Sequence, residues 1–86
     1  MQNIKVHISV PKAICASQTL SLKPGTLLLE ALCKVDPDNL IKRIAKNESE
    51  FNQFVLIYHD DVRIKDPSFP LMDDCSIDVI IPMAGG

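Results

Sequence analysis

Between Asn3 and Val10 apolar and polar residues alternate without a break, with Ile4, Val6, Ile8 and Val10 on one side. Asn3, Lys5, His7 and Ser9 fall on the other. A period of two fits a half-buried strand and no helix, and Pro11 ends it. After a short connection, Gln18-Thr19-Leu20-Ser21-Leu22 alternates again and stops at Pro24-Gly25. Two such neighbours, so briefly joined, predict an antiparallel hairpin at the start of the chain. That hairpin needs something to cover its apolar face.

The cover comes next. Leu28, Ala31, Leu32 and Val35 recur at helical spacing, predicting a helix over 27–35 with Thr26 as its cap. With Thr26 at that position, Glu30 falls one residue too late for a capping box. Asp36-Pro37 marks a second, shorter helix whose Leu40, Ile41, Ile44 and Ala45 face inward. Lys42, Arg43 and Lys46 lie toward its C-terminal end, where cations suit the helix dipole. Residues 47–52 are polar and read as a loop. Phe54 to Tyr58 is a continuous apolar run, predicting a central strand buried on both faces. His59-Asp60-Asp61 reads as a turn before a short segment, Val62-Arg63-Ile64. Pro67 and Pro70 frame a loop, Asp73-Asp74 a tight turn, and Ile77 to Ile81 a last strand. Strands on either side of one main helix define an α+β two-layer domain, with a mixed sheet of four to five strands.

Composition bounds the size and setting. The 86 residues make one small domain, which buries about 60–65% of the unfolded chain's surface. With 47% hydrophobic but only 5% aromatic residues, the core must be aliphatic. No apolar run approaches the roughly 18 residues of a membrane span, and no secretory leader is evident. Cys15, Cys33 and Cys75 are odd in number and widely spaced, which suits a reducing cytoplasm with the thiols as small core hydrophobes. A net charge of −2 gives no field to recruit nucleic acid. The acids concentrate late: Asp60, Asp61, Asp66, Asp73, Asp74 and Asp78 all follow residue 50. Either they fill solvated turns, or they steer the end of the chain toward a basic partner.

The sequence closes on Ile80-Ile81-Pro82-Met83-Ala84-Gly85-Gly86, a strand that breaks at proline and runs out into residues with almost no side chain. This segment, with Leu22-Lys23-Pro24-Gly25-Thr26, Leu27 to Leu32, Glu50 to Val55 and Leu71-Met72-Asp73-Asp74, resembles the MoaD/ThiS family of sulfur carriers. The likeness is closest to the molybdopterin synthase small-subunit branch. It covers nearly the whole chain, and the Pro-x-Ala-Gly-Gly ending is its most specific part. In two places the sequence departs from the family pattern. The final turn reads Asp73-Asp74-Cys75 in place of Asp-Gly-Asp, and His59-Asp60-Asp61 replaces an Asn-Gly.

The resemblance implies a β-grasp (ubiquitin-like) domain over residues 1–82 and a flexible Gly-Gly tail over 83–86. It implies that Gly86, with Gly85 beside it, carries the chemistry through a C-terminal carboxylate. An E1-like adenylyltransferase of the MoeB/ThiF type would transfer AMP from ATP to that carboxylate, and a sulfur nucleophile would displace the AMP. The thiocarboxylate would then donate sulfur inside a larger catalytic subunit of the MoaE type, or another acceptor enzyme. The chain would supply no catalytic groups, metal or bound cofactor. Four extended residues reach at most about 13–14 Å, enough to enter a narrow channel while the body stays outside. Ile80, on the face of the last strand away from Ile77, Val79 and Ile81, would either be exposed beside the tail or be covered by loops as ordinary packing; the exposed arrangement is the one that serves a partner. With Pro82, Met83 and Ala84 it forms the expected partner contact. The alternative is a ubiquitin-like modifier joined to lysines through the same glycine.

Other chemistry finds little support. His7 sits on a polar strand face, and three adjacent residues, His59 to Asp61, cannot all converge on one metal ion. A plant-type ferredoxin would need four suitably spaced cysteines. There is no P-loop, dinucleotide fingerprint or zinc-protease motif. Cys75, beside Asp73 and Asp74, should be a poor thiolate.

Overall fold

A computed structural model describes residues 2–47 and 49–82 of the chain. The opening hairpin forms as its alternation requires. Strand β1, Ile4–Ser9, pairs antiparallel with β2, Gln18–Leu22, in a register that sets Ile4 against Leu22 and Ile8 against Gln18. Ile4, Val6 and Ile8 are buried, whereas Lys5 and His7 are exposed. The His7 ring shares a 2.9 Å hydrogen bond with the Thr19 hydroxyl across the hairpin, as befits a surface side chain.

Lys23 to Thr26 is a tight turn. Thr26 N–H donates to the Lys23 carbonyl at 3.1 Å, with Pro24 and Gly25 at the centre and Gly25 at φ +93°. Proline first and a positive-φ glycine second define a type II turn. The turn leads into β3, Thr26–Leu27, which pairs with a late segment, and then into helix α1, Leu28–Val35.

Thr26 is therefore not the helix cap. Its hydroxyl is committed to the Lys23 carbonyl at 2.7 Å, and the cap position passes to Leu27. That shift places Glu30 at the third helical position, where its carboxylate accepts the Leu27 N–H at 3.1 Å. The next free donors of α1 go to a loop: Leu28 N–H to Phe69 and Leu29 N–H to Pro67, at 2.8 and 3.0 Å. A helix end satisfied by distant carbonyls is one that only tertiary structure can complete.

Helix α2, Asn39–Ile44, starts later than Asp36-Pro37 suggests, with Asp38 at the cap position and Pro37 in the turn before it. The Asp36 carboxylate accepts from Asp38 N–H and Asn39 N–H at 2.9 and 2.8 Å, although regular helix begins only at Asn39. Leu40 and Ile44 are buried and Ile41 is half-buried. Ala45 is half-buried too, but it opens β4, Ala45–Asn47, which pairs with β5, Glu50–Phe51. The polar stretch read as a loop is thus a small hairpin. Asparagine holds it: Asn47 Oδ1 accepts from Ser49 N–H, and Asn52 Nδ2 donates to the Arg43 carbonyl.

The apolar run 54–58 is only partly a strand. Phe54 lies in a turn and is exposed, and β6 spans Leu56–His59 with only Ile57 fully buried. His59 ends the strand instead of entering the turn, its ring tilted against Phe69 at 5.2 Å. Asp60 and Asp61, at φ +45° and +74°, form the two-residue link to β7, Val62–Arg63. Two positive φ values make this a type I′ turn, whose twist matches the flanking strands. Asp60 also fastens the turn to the start of the last strand. Its N–H donates to the Ser76 carbonyl, and its carboxylate accepts Ser76 N–H.

Pro70 belongs to β8, Pro70–Leu71, the partner of β3, while Pro67 is fully buried. The last strand, β9, runs Cys75–Ile80, starting two residues earlier than its apolar content indicates. It lies parallel to β1 and antiparallel to β6, so the main sheet has the order β2-β1-β9-β6-β7. One mixed five-stranded sheet, with α1 and the shorter α2 over its apolar face, is the β-grasp-like α+β architecture. The core is aliphatic throughout, with Val6, Ile8, Leu28, Leu32, Leu40 and Ile77 all at 0% exposure. The cysteines are not core residues. All three are half-buried, with Cys15 and Cys75 packed against its margin.

The two turns make opposite predictions. A Cβ at Gly25 would meet nothing within 4 Å, so Gly25→Ala should cost only the conformational penalty of positive φ, about 1–2 kcal/mol. Asp61→Gly should relieve the same strain and raise stability by about 0.5–1 kcal/mol. Urea denaturation of both variants beside the parent checks the pair; equal shifts in one direction would contradict the turn assignments.

Candidate functional site

The last strand delivers the end of the chain, so its surroundings form the candidate site. Along β9 the side chains alternate: Ile77 and Val79 go under the helices, and Ile80 projects from the opposite, open face with 48% of its surface exposed. Ile81 is half-buried against the core margin, and Pro82 is exposed. The remaining predicted site residues, Met83, Ala84, Gly85 and Gly86, lie outside the described residues.

The sheet register supplies what sequence reasoning missed. Leu56 lies directly across from Ile80, and Tyr58 across from Asp78, with Ser9 on the other flank of Asp78. Leu56 and Tyr58 are half-buried, not sealed between two layers. They reach the open face because no helix among the described residues covers that side of β6. Phe54, 67% exposed, precedes β6 at the same end, since β6 runs antiparallel to β9. The tyrosine was the available clue: a hydroxyl within an apolar run suits a strand with one face open to water. Ile80, Leu56 and Tyr58 therefore form an apolar patch where β9 ends. Next to it an open groove of about 580 Å³ is lined by Ser9, Val10, Pro11, Tyr58, Asp78 and Ile80, among others.

The acidic half of the chain does not ring this patch. The Asp74 carboxylate accepts Lys5 N–H at 2.7 Å, and Asp60 is bonded to Ser76, both at the start of β9. A strand rising about 3.3 Å per residue puts them roughly 13–20 Å from Ile80. Of the late acids, Asp78 and Asp61 line the groove. Most of the others tie down turns and strand beginnings.

The thiols are quiet as well. Burial first, then the charges of Asp60, Asp74 and Asp73, push the Cys75 thiol above its ordinary range. Cys15 is raised too, by burial and then by Asp36. Both effects disfavour the thiolate, the form that acts as nucleophile. Among the described residues, no group of three His, Cys, Asp or Glu side chains could hold a metal ion. No helix among them is long and apolar enough to cross a membrane. What the arrangement offers is a surface, with an exposed aliphatic patch leading to the end of the chain.

No family model matches the chain, and no curated protein matches it.

Two measurements test this geometry. Ile80→Asp should change folding stability by less than about 1 kcal/mol, because Ile80 is exposed, whereas Val79→Asp should unfold the domain. Thermal melts distinguish them. The alkylation rate of Cys75 in the folded protein should rise with pH through a midpoint above the usual thiol value of about 8.5. A midpoint below that value would mean that burial and the carboxylates do not govern the thiol.

Proposed function

We propose that this protein is a sulfur carrier whose reactive group is the carboxylate of Gly86. The observation that supports it is the run Ile81-Pro82-Met83-Ala84-Gly85-Gly86, following in sequence a strand whose exposed last residue, Ile80, lies within an apolar patch. A carboxylate resists nucleophiles because its charge is spread over two oxygens. Conversion to an acyl adenylate, with ATP as AMP donor, replaces a poor leaving group by a good one. A sulfur nucleophile then forms the carbon–sulfur bond as the bond to AMP breaks, leaving a thiocarboxylate. All of these steps need a catalyst that the carrier lacks. Its own contribution is an end of chain without obstructing side chains and a patch by which an E1-like adenylyltransferase and a sulfur acceptor hold the body.

Glycine suits both final positions because, without Cβ, the backbone fits a channel closed to other residues. The patch of Ile80, Leu56 and Tyr58 has the character of an anchor, with aliphatic and tyrosine surface together and the Asp78 carboxylate across from Tyr58 at its margin. The acceptor in molybdopterin synthesis, a larger subunit of the MoaE type, is the destination favoured by the whole-chain resemblance. The second reading, a modifier attached to lysines, uses the same activation and differs only in the final nucleophile.

Intact-mass spectrometry of protein from its native host separates the readings. A carrier gains the mass of one sulfur-for-oxygen exchange on a chain ending at Gly86, whereas a modifier leaves Gly-Gly remnants on lysines of other proteins. One alanine added after Gly86 should abolish either outcome while leaving the melting temperature unchanged. Ile80→Asp should lower the rate of ATP-dependent adenylation at least tenfold with its fold intact. Sulfur transfer from the alanine-extended chain, or a natural chain that continues past Gly86 untrimmed, would overturn the proposal.

A further inference from the structure

The two edges of the main sheet are unlike. On one side β7 is two residues long and follows the Asp60-Asp61 turn. On the other β2 presents five residues, Gln18–Leu22, with an unshifted register to β1 and, among the described residues, nothing beyond it in the sheet. Strand edges normally carry a device against pairing with another chain: a charge, a proline, a bulge or extreme shortness. Within Gln18-Thr19-Leu20-Ser21-Leu22 there is neither charge nor proline, and the pairing to β1 has no bulge. The β7 edge is blunted by its brevity; the β2 edge is not.

The strand also complements itself. An antiparallel two-fold centred on Leu20 sets Leu20 against its own copy, Gln18 against Leu22, and Thr19 against Ser21. Residues that meet share a face, since 18, 20 and 22 lie on the helix side and 19 and 21 on the open side. Thr19 and Ser21 are exposed, and a Thr–Ser pair across strands can share a hydrogen bond. No like charges meet. The nearest cation, Lys23, would face Ser17 of the second copy. The two lysines would then lie about 20 Å apart along the seam, beyond a Debye length of about 8 Å. A net charge of −2 per chain adds little repulsion.

We propose that the outer edge of β2 is the seam of a homodimer, formed by antiparallel addition of a second copy's β2 to make one continuous ten-stranded sheet. The two-fold runs perpendicular to the sheet, so both pairs of helices cover the same side. Ile80 stays free, because β1 and β2 both separate β9 from the seam. The inference rests on the edge alone and is independent of any chemistry at Gly86.

Sedimentation equilibrium of the full chain from about 1 μM to about 1 mM tests it. The expected result is a monomer–dimer equilibrium, with slowed amide exchange at 18–22 as concentration rises. Thr19→Lys with Ser21→Lys sets like charges opposite each other twice and should weaken the dimer about tenfold or more. Thr19→Glu with Ser21→Glu should do the same, and mixing the two folded double variants should restore association. Ile80→Asp should dimerise like the parent. A monomer across the whole range, leaving the edge to some other extended chain, overturns the proposal. So does a dimer that survives the like-charge variants or is lost in Ile80→Asp.

Discussion

Everything in this molecule depends on β9 lying between β1 and β6. Within the main sheet it joins the N-terminal hairpin to the later strands, parallel to one and antiparallel to the other. Its Ile77 and Val79, at 0% and 4% exposure, enter the same core as Leu28, Ala31 and Leu32 of α1. Because side chains alternate along a strand, anchoring those two residues fixes Ile80 on the open face. The exposed patch is thus a direct consequence of core packing one residue away.

The start of β9 is held just as firmly. Asp74 takes the Lys5 amide of β1 and Asp60 takes the Ser76 amide, so both neighbouring elements are tied to the strand by carboxylates. This explains why so many acids follow residue 50 while only Asp61 and Asp78 of them line the groove beside Ile80. It also gives the Asp60-Asp61 turn a reason beyond its twist. Asp60 accepts the strain of positive φ while making two hydrogen bonds, one of which a glycine could not supply. Burial first, and then the same acids, raise the Cys75 thiol.

A carrier and a modifier would use this architecture in the same way. On either reading the body would be a handle with an apolar grip, and reactivity would be delegated to the carboxylate of Gly86. Such a division needs little beyond a strand ending at an exposed aliphatic residue. It also leaves the distant sheet edge free for self-association, because the patch and the edge lie two strands apart.

Sequence alone determined the elements whose signal is local. Alternation gave the opening hairpin, helical spacing gave α1, Asp36-Pro37 marked that a second helix follows, and the parity of β9 set Ile80 on the face opposite Ile77 and Val79. Each of these follows from backbone geometry acting on neighbours in the chain. Tertiary structure decided the rest. Thr26 lost its capping role because β3 found a partner at Pro70–Leu71, a pairing with no periodic signature. The 45–51 hairpin is polar and too short to show a pattern. Leu56 and Tyr58 read as sealed until the sheet order left one face of β6 uncovered, since burial is a property of neighbours that only the fold brings together.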